Sequence, residues 1–422
     1  MKRTAPTRAT VLQSQESPRR IIVPDRQPGF VQHTAISVGA GLIETLGDQI
    51  RRLGGDRPVI LIDAALEQGP VGDRLRTLLP RAPLLGRTSQ EPSFESVAQD
   101  AQLIDESGAD LLVAVGGGST IDSAKLLRGL LAAGVESLAE LPESFASPPM
   151  PLIAAPTTAG TGAEIGAGAI VFDPAIGDKI LIRRRELAAN VAIADGELTL
   201  GLPPHLTAWT GCDALGQAIL AFVPAGWDAL SGQIALRAIS LIANALPQAV
   251  ADGSNRAARN DQMLGSVLSA LAMYNAPPDY AGEHLFAEPV GAALGVHHGL
   301  AVAAFLAGTA EYNAEVLAQP YAAIARVVGA AQLDDPDSTA SLALVEWLRS
   351  FVRKLGVPGL AQIAGAGDAR SLAKRCASHG GYVLNPRPLS EESTVQIIRG
   401  ALDGSFSATG RGKSDVPDTT HG

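Results

Sequence analysis

Residues 111–131, LLVAVGGGSTIDSAKLLRGLL, constrain the fold more than any other stretch. The apolar run 111–115 has the length and composition of a buried strand and leads directly into Gly116, Gly117, Gly118 and Ser119. Ile121, Ala124, Leu127, Leu130 and Leu131 then recur at helical spacing. The pattern is strand, glycine turn, helix. Glycines let a backbone approach a ligand closely, and a helix start presents unpaired N–H groups to an anion such as a pyrophosphate. A tight turn with no ligand fits the glycines equally well. A second apolar strand at 151–155 runs into Pro156-Thr157-Thr158-Ala159-Gly160-Thr161-Gly162-Ala163-Glu164. Two such turns, each at the end of a strand, suit the ligand edge of a parallel sheet.

The two segments, GGGSxxDxAK at 116–125 and PTTAGTGxE at 156–164, resemble in order and spacing the paired motifs of the iron-containing alcohol dehydrogenase family. The resemblance implies an α/β N-terminal dinucleotide-binding domain with a parallel sheet, followed by an all-α C-terminal domain. It also implies a hydride transfer between NAD and an alcohol or carbonyl substrate.

The bulk properties agree with a globular enzyme. A chain of 422 residues, 46% hydrophobic and 18% charged, has room for two domains, or three, around large cores. A net charge of −10 disfavours nucleic acid and anionic membranes as partners. No apolar run stands out as long enough to span a bilayer. Two cysteines, Cys212 and Cys376, indicate neither a disulfide scaffold nor a cysteine-rich metal site, and the default compartment is the reducing cytoplasm. Residues 1–30 carry six basic side chains against Glu16 and Asp25 and no apolar core of a secretory signal, so a disordered tail is expected. The expected organisation is that tail, an α/β domain at 31–200, a helical domain at 201–407 and a polar tail at 408–422.

Within the first domain, 31–38 reads as extended, 42–53 as helical, and 58–62 as a buried strand ending at Asp63. A carboxylate there can bond the ribose hydroxyls of a dinucleotide and repel a 2′-phosphate, which favours NAD over NADP. It can also cap the following Ala-Ala-Leu helix start. The resemblance favours the ribose role. Residues 93–106 read as a helix, and 167–172 and 179–182 as short strands. Asp122 and Lys125 share a helix face, so an exposed ion pair is the plain structural expectation. The resemblance places both near the cofactor pocket, with Thr157, Thr158 and Thr161 lining its other side.

The second domain opens with a helix expected over 207–223, where Asp213 and Gln217, four apart, share a face. GxDALxxAIxAFV is similar to the family's metal-binding helix, with Asp213 at the ligand aspartate and Gln217 where many members carry histidine. His284 and His298, 14 positions apart, match the family's two downstream histidine ligands. Imidazole and carboxylate donors suit Fe(II) or Zn(II). Gln217 offers a neutral, weak oxygen and can fill a position or leave it to water. His297 reads as a neighbour of the site. Glu288, where relatives often carry histidine, reads as a proton-relay group or a solvated helix residue. Three further readings follow. One is a metal-free reductase similar to maleylacetate reductases. One is a lyase similar to dehydroquinate synthase, and one is a paralogue that binds nucleotide alone. The family expectation for assembly is a homodimer, and the expected substrate is a small-molecule alcohol or aldehyde whose size the sequence does not specify.

Overall fold

The computed structural model of the chain describes residues 29–87, 92–173, 175, 178–227 and 229–409. The tails expected at the two ends lie almost wholly outside them. The first half alternates strands and helices: β1 (Ala35–Val38), α1 (Leu46–Arg52), β2 (Pro58–Asp63), α2 (Ala64–Glu67), α3 (Pro70–Leu78), β3 (Leu84–Arg87), α4 (Phe94–Glu106), β4 (Leu111–Gly116), α5 (Gly118–Ala133) and β5 (Leu152–Pro156). A hairpin, β6 (Gly168–Asp173) and β7 (Asp178–Arg183), precedes β8 (Val191–Ala194). Among the described residues six strands form one parallel sheet in the order β1-β8-β5-β4-β2-β3. Every residue of β4 is buried, as its unbroken apolar sequence requires of a central parallel strand. The register sets Ile62 beside Val115, and Gly116 beside Pro156. The ends of β2, β4 and β5 therefore share one sheet edge, and Asp63 and both glycine-rich turns emerge there.

The expected extended segment 31–38 is a strand only over Ala35–Val38. The helical segment 42–53 opens with a 3₁₀ turn at Leu42–Thr45. That turn is fixed from a distance: the buried Asp195 carboxylate accepts from Gly41 N and Ile43 N, both at 3.0 Å. Asp122 and Lys125 do not form an exposed pair. Both are buried, with Lys125 Nζ 3.6 Å from Asp122 Oδ1. Lys125 Nζ donates to Gly168 O (2.8 Å) and Asp122 Oδ2 accepts from Ile170 N (2.9 Å), which ties α5 to the β6–β7 hairpin. The physical reason lies in tertiary packing: the hairpin covers this helix face, which helical spacing alone cannot reveal.

The second half is helical: α6 (Pro204–Ala225), α7 (Leu230–Ala251), α8 (Arg256–Asn275), α9 (His284–Leu294), α10 (His298–Asn313), α11 (Ala318–Val327), α12 (Asp337–Lys354), α13 (Leu360–Ala364), α14 (Ala369–Ala377) and α15 (Glu391–Asp403). Helix α6 starts earlier than expected because Pro204 occupies its first turn, where the missing N–H costs nothing. Contrary to the sequence expectation, α6 and α7, 22 residues each, are long and apolar enough to cross a membrane by length and composition. Their apolar side chains instead form the centre of the helical core: Leu215, Phe222, Ile239 and Ile242 are buried with Phe286 and Phe305. The late segments 311–313 and 385–388 brace one another, with Asn313 and Asn385 exchanging amide hydrogen bonds at 2.9 and 3.0 Å.

Candidate active site

One continuous cleft runs between the sheet edge and the helical half. It is lined on one side by Asp63, Gly117, Gly118, Ser119, Asp122, Thr157, Thr158 and Thr161, and on the other by Asp213, Gln217, His284 and His298. The sequence-derived residues are thus brought to one place, with one exception. Gly116 sits behind the turn, where a Cβ would come 2.5 Å from Thr120 Oγ1, so it serves packing.

On the sheet side, α5 begins after Gly117 with no side-chain cap. Its first N–H groups face the cleft as a neutral anion site. A Cβ on Gly118 would come 2.8 Å from Thr161 Oγ1, so the two motif loops touch only because that position is glycine. Asp63 serves as the N-cap of α2, accepting from Ala65 N at 3.0 Å, while still lining the cleft. A carboxylate has capacity for both roles. Asp122 lines the cleft with its carboxylate already engaged by Ile170 and Lys125.

On the helical side, Asp213 projects from the middle of α6, and His284 and His298 are the first residues of α9 and α10. His284 Nε2 lies 3.3 Å and His298 Nε2 3.7 Å from Asp213 Oδ1. One donor atom from each of the three falls within 4.8 Å of the others. Burial pushes Asp213 up, but His298, His284 and Gln217 together hold its carboxyl below the ordinary range. Burial opposes the charged form of His284, yet the Asp213 and Glu283 carboxylates hold it well above the ordinary imidazole value. His298 is held below it, chiefly by burial, against the pull of Asp213.

Gln217 Nε2 reaches Asp213 Oδ1 (3.3 Å) and Thr161 O (3.4 Å), linking the two walls of the cleft. Its Oε1 is buried and finds no hydrogen-bond partner among the described residues. An orphaned buried oxygen beside one carboxylate and two imidazoles fits a divalent cation, whose binding would supply the missing partner.

His297 caps α10, its Nδ1 accepting from Gly299 N at 3.1 Å, and its ring rests near Trp209. It belongs to the helix start. Glu288 is paired: its Oε2 lies 2.8 Å from His379 Nε2. His379 Nδ1 accepts from Gly381 N, so Nε2 carries the proton donated to Glu288. Nothing in the sequence brought His379 forward, because only the fold carries it across the intervening chain. Glu283 was also missed. It is nearly buried, with Oε1 3.0 Å from His284 Nδ1.

Comparison with known proteins gives a consistent picture. Residues 33–196 match the family described as iron-containing alcohol dehydrogenase, and residues 207–402 match the C-terminal part of the Fe-containing alcohol dehydrogenase family. The chain is 32% identical over 369 residues to the probable alcohol dehydrogenase EutG of Escherichia coli (strain K12), covering 86% of this chain and 92% of that protein. The structure of a 1,3-propanediol oxidoreductase superposes with a TM-score of 0.81 at 26% identity, covering 89% of this chain and all of that one. The sulfoacetaldehyde reductase from Bifidobacterium kashiwanohense in complex with NAD+ superposes at 0.77 with 25% identity, covering 89% and 98%.

Proposed function

The chain belongs to the iron-containing alcohol dehydrogenase family of oxidoreductases, and from that premise we propose a metal-dependent, NAD(H)-linked alcohol dehydrogenase or aldehyde reductase. The observation that carries this reading is the joining of Asp213, His284 and His298 within 4.8 Å on the wall facing an uncapped helix N-terminus. Asp213, His284 and His298 would hold a divalent metal, Fe(II) or Zn(II), with Gln217 Oε1 as a further donor. When bound, the metal supplies Lewis acidity to the alcohol or carbonyl oxygen, and the nicotinamide supplies the hydride chemistry.

The remaining tasks fall to the chain. The α5 N-terminus, with Gly117, Gly118 and Ser119, would hold the pyrophosphate, and Asp63 the ribose hydroxyls. Thr157, Thr158 and Thr161 would position the cofactor from the second loop. Gln217 ties that loop to the carboxylate of Asp213, which keeps the distance between the two walls fixed. The cleft buries Asp213 and excludes water from its carboxylate. The substrate would be a small-molecule alcohol or aldehyde, and we extend the proposal to a cytoplasmic homodimer.

The test is NADH oxidation by metal-stripped protein over an aldehyde panel, with Fe(II) or Zn(II) added back. Metal-restored turnover is expected. Full turnover without metal would transfer the chain to a metal-free reductase reading. NADH binding with neither metal uptake nor turnover would leave only a nucleotide-binding paralogue.

A further inference from the structure

Glu283 is an unusual residue to bury. It is 3% exposed, immediately before His284, at the edge of a core of Ile219, Leu306, Leu344 and Leu348. A carboxylate in such a place is costly unless its oxygens are used. One use is direct: Oε1 lies 3.0 Å from His284 Nδ1, while His284 Nε2 faces Asp213. A carboxylate only accepts, so in the neutral imidazole it keeps the proton on Nδ1 and leaves the Nε2 lone pair free. A few polar groups also lie near it. A cavity of about 10 Å³, roughly one water's worth of space, is lined by Glu283, Tyr280, Tyr321 and Thr309. The two tyrosine hydroxyls meet at 2.9 Å.

A second observation is independent of the first. Gly216 lies inside α6, between Asp213 and Gln217, and a Cβ built on it would overlap Glu283 Oε1. Glycine in a helix interior is disfavoured relative to alanine. At this place the missing side chain is the space that the carboxylate occupies. Helix α6 thus supplies Asp213 and Gln217 and also the room for the group that orients His284.

We propose that Glu283 is a positioning residue for the metal site: it holds His284 by Nδ1 with Nε2 turned to Asp213, and Gly216 is the vacancy that admits it. This inference rests on the reading that Asp213, His284 and His298 hold a metal. Hydrogen-bonded carboxylates of this kind orient metal-binding imidazoles and raise their basicity, and their loss costs about 10- to 100-fold in metal affinity.

The experiment measures Zn(II) dissociation constants of the metal-stripped full-length chain by competition with a chromophoric chelator, with apo-protein thermal unfolding beside it. Glu283→Leu should weaken Zn(II) by about 10- to 100-fold, in an apo-protein whose unfolding transition shows it folded. Glu283→Gln retains an oxygen at the same reach and should restore most of the affinity. Gly216→Ala leaves Glu283 in the sequence but takes its space, and should weaken Zn(II) as Glu283→Leu does, despite a better helix former. If wild type binds Zn(II) and both Glu283→Leu and Gly216→Ala bind it equally well, the positioning role is wrong and the metal reading stands. If Glu283→Leu fails to fold, Gly216→Ala and Glu283→Gln decide by the same criterion. A wild-type chain that binds no Zn(II) overturns both.

Discussion

The two walls of the cleft are built on opposite principles. The sheet-side wall is chiefly backbone: glycines, an uncapped helix start and hydroxyls, with the Asp63 carboxylate at its margin and that of Asp122 engaged by the β6–β7 hairpin. The helical wall is side chain: a buried carboxylate, two imidazoles and an amide delivered by three helices. The difference shows how each is vulnerable. A wall made of absent side chains is broken by adding atoms, and a wall made of side chains is broken by removing them. The proposed split of labour follows the same lines, since N–H groups suit a polyanionic cofactor and a carboxylate suits a cation.

The largest effect belongs to the helical wall. Asp213→Ala should lower turnover by on the order of 10³-fold or more, the scale on which losing one member of a catalytic unit is felt. NADH affinity, read by fluorescence titration, should stay near wild type. Loss of both together would mean that the walls are not separable. Gly118→Ala is the reciprocal change. Its Cβ would press on Thr161 Oγ1 from 2.8 Å and crowd the helix start. The KM for NADH should rise by about 10- to 100-fold with Zn(II) content unchanged, measured by steady-state kinetics and elemental analysis on one preparation.

A third change strengthens a wall. Gln217→His replaces a weak neutral oxygen that has no partner by an imidazole. Zn(II) affinity should tighten by roughly tenfold. An unchanged constant would show that position 217 lies outside the coordination sphere.

The smallest effect on activity lies behind the cleft. Burial lifts the Glu164 carboxyl to about 7, outweighing the pull of Lys125. An acid whose pKa rises on folding binds more protons folded than unfolded between the two values. Stability therefore falls as pH rises from 4.5 to about 7, and the cost is complete above that window. Glu164→Gln should raise stability by up to roughly 3 kcal/mol at about pH 8 and by almost nothing at about pH 4. Urea unfolding at the two pH values reads the difference. A stabilisation equal at both would assign the effect to packing.

Much of this was legible in the sequence because it is local. The run 111–116 and the glycines after it specify a strand and a turn within a few residues, and the structure has them as β4 and the start of α5. Asp213, His284 and His298 came forward through their resemblance to the family's metal-binding pattern, and the fold brings the three together. What stayed hidden depends on contacts between distant segments. Asp122 and Lys125 read as a surface pair because the hairpin that buries them lies more than forty residues onward. His379 meets Glu288 across 91 positions. Nothing in the sequence sets Gly216 apart, because its role depends on Glu283, whose carboxylate fills the space of its missing side chain.

The central claim is that Asp213, His284 and His298 hold a metal on the wall facing the cofactor turn. Its most direct test is the metal content, by elemental analysis, of the wild-type chain purified without chelator, beside Asp213→Ala prepared identically. Stoichiometric Fe or Zn is expected in the wild type and background levels in the variant, with both proteins folded. Equal metal in the two, or an active wild type that carries none, would contradict it.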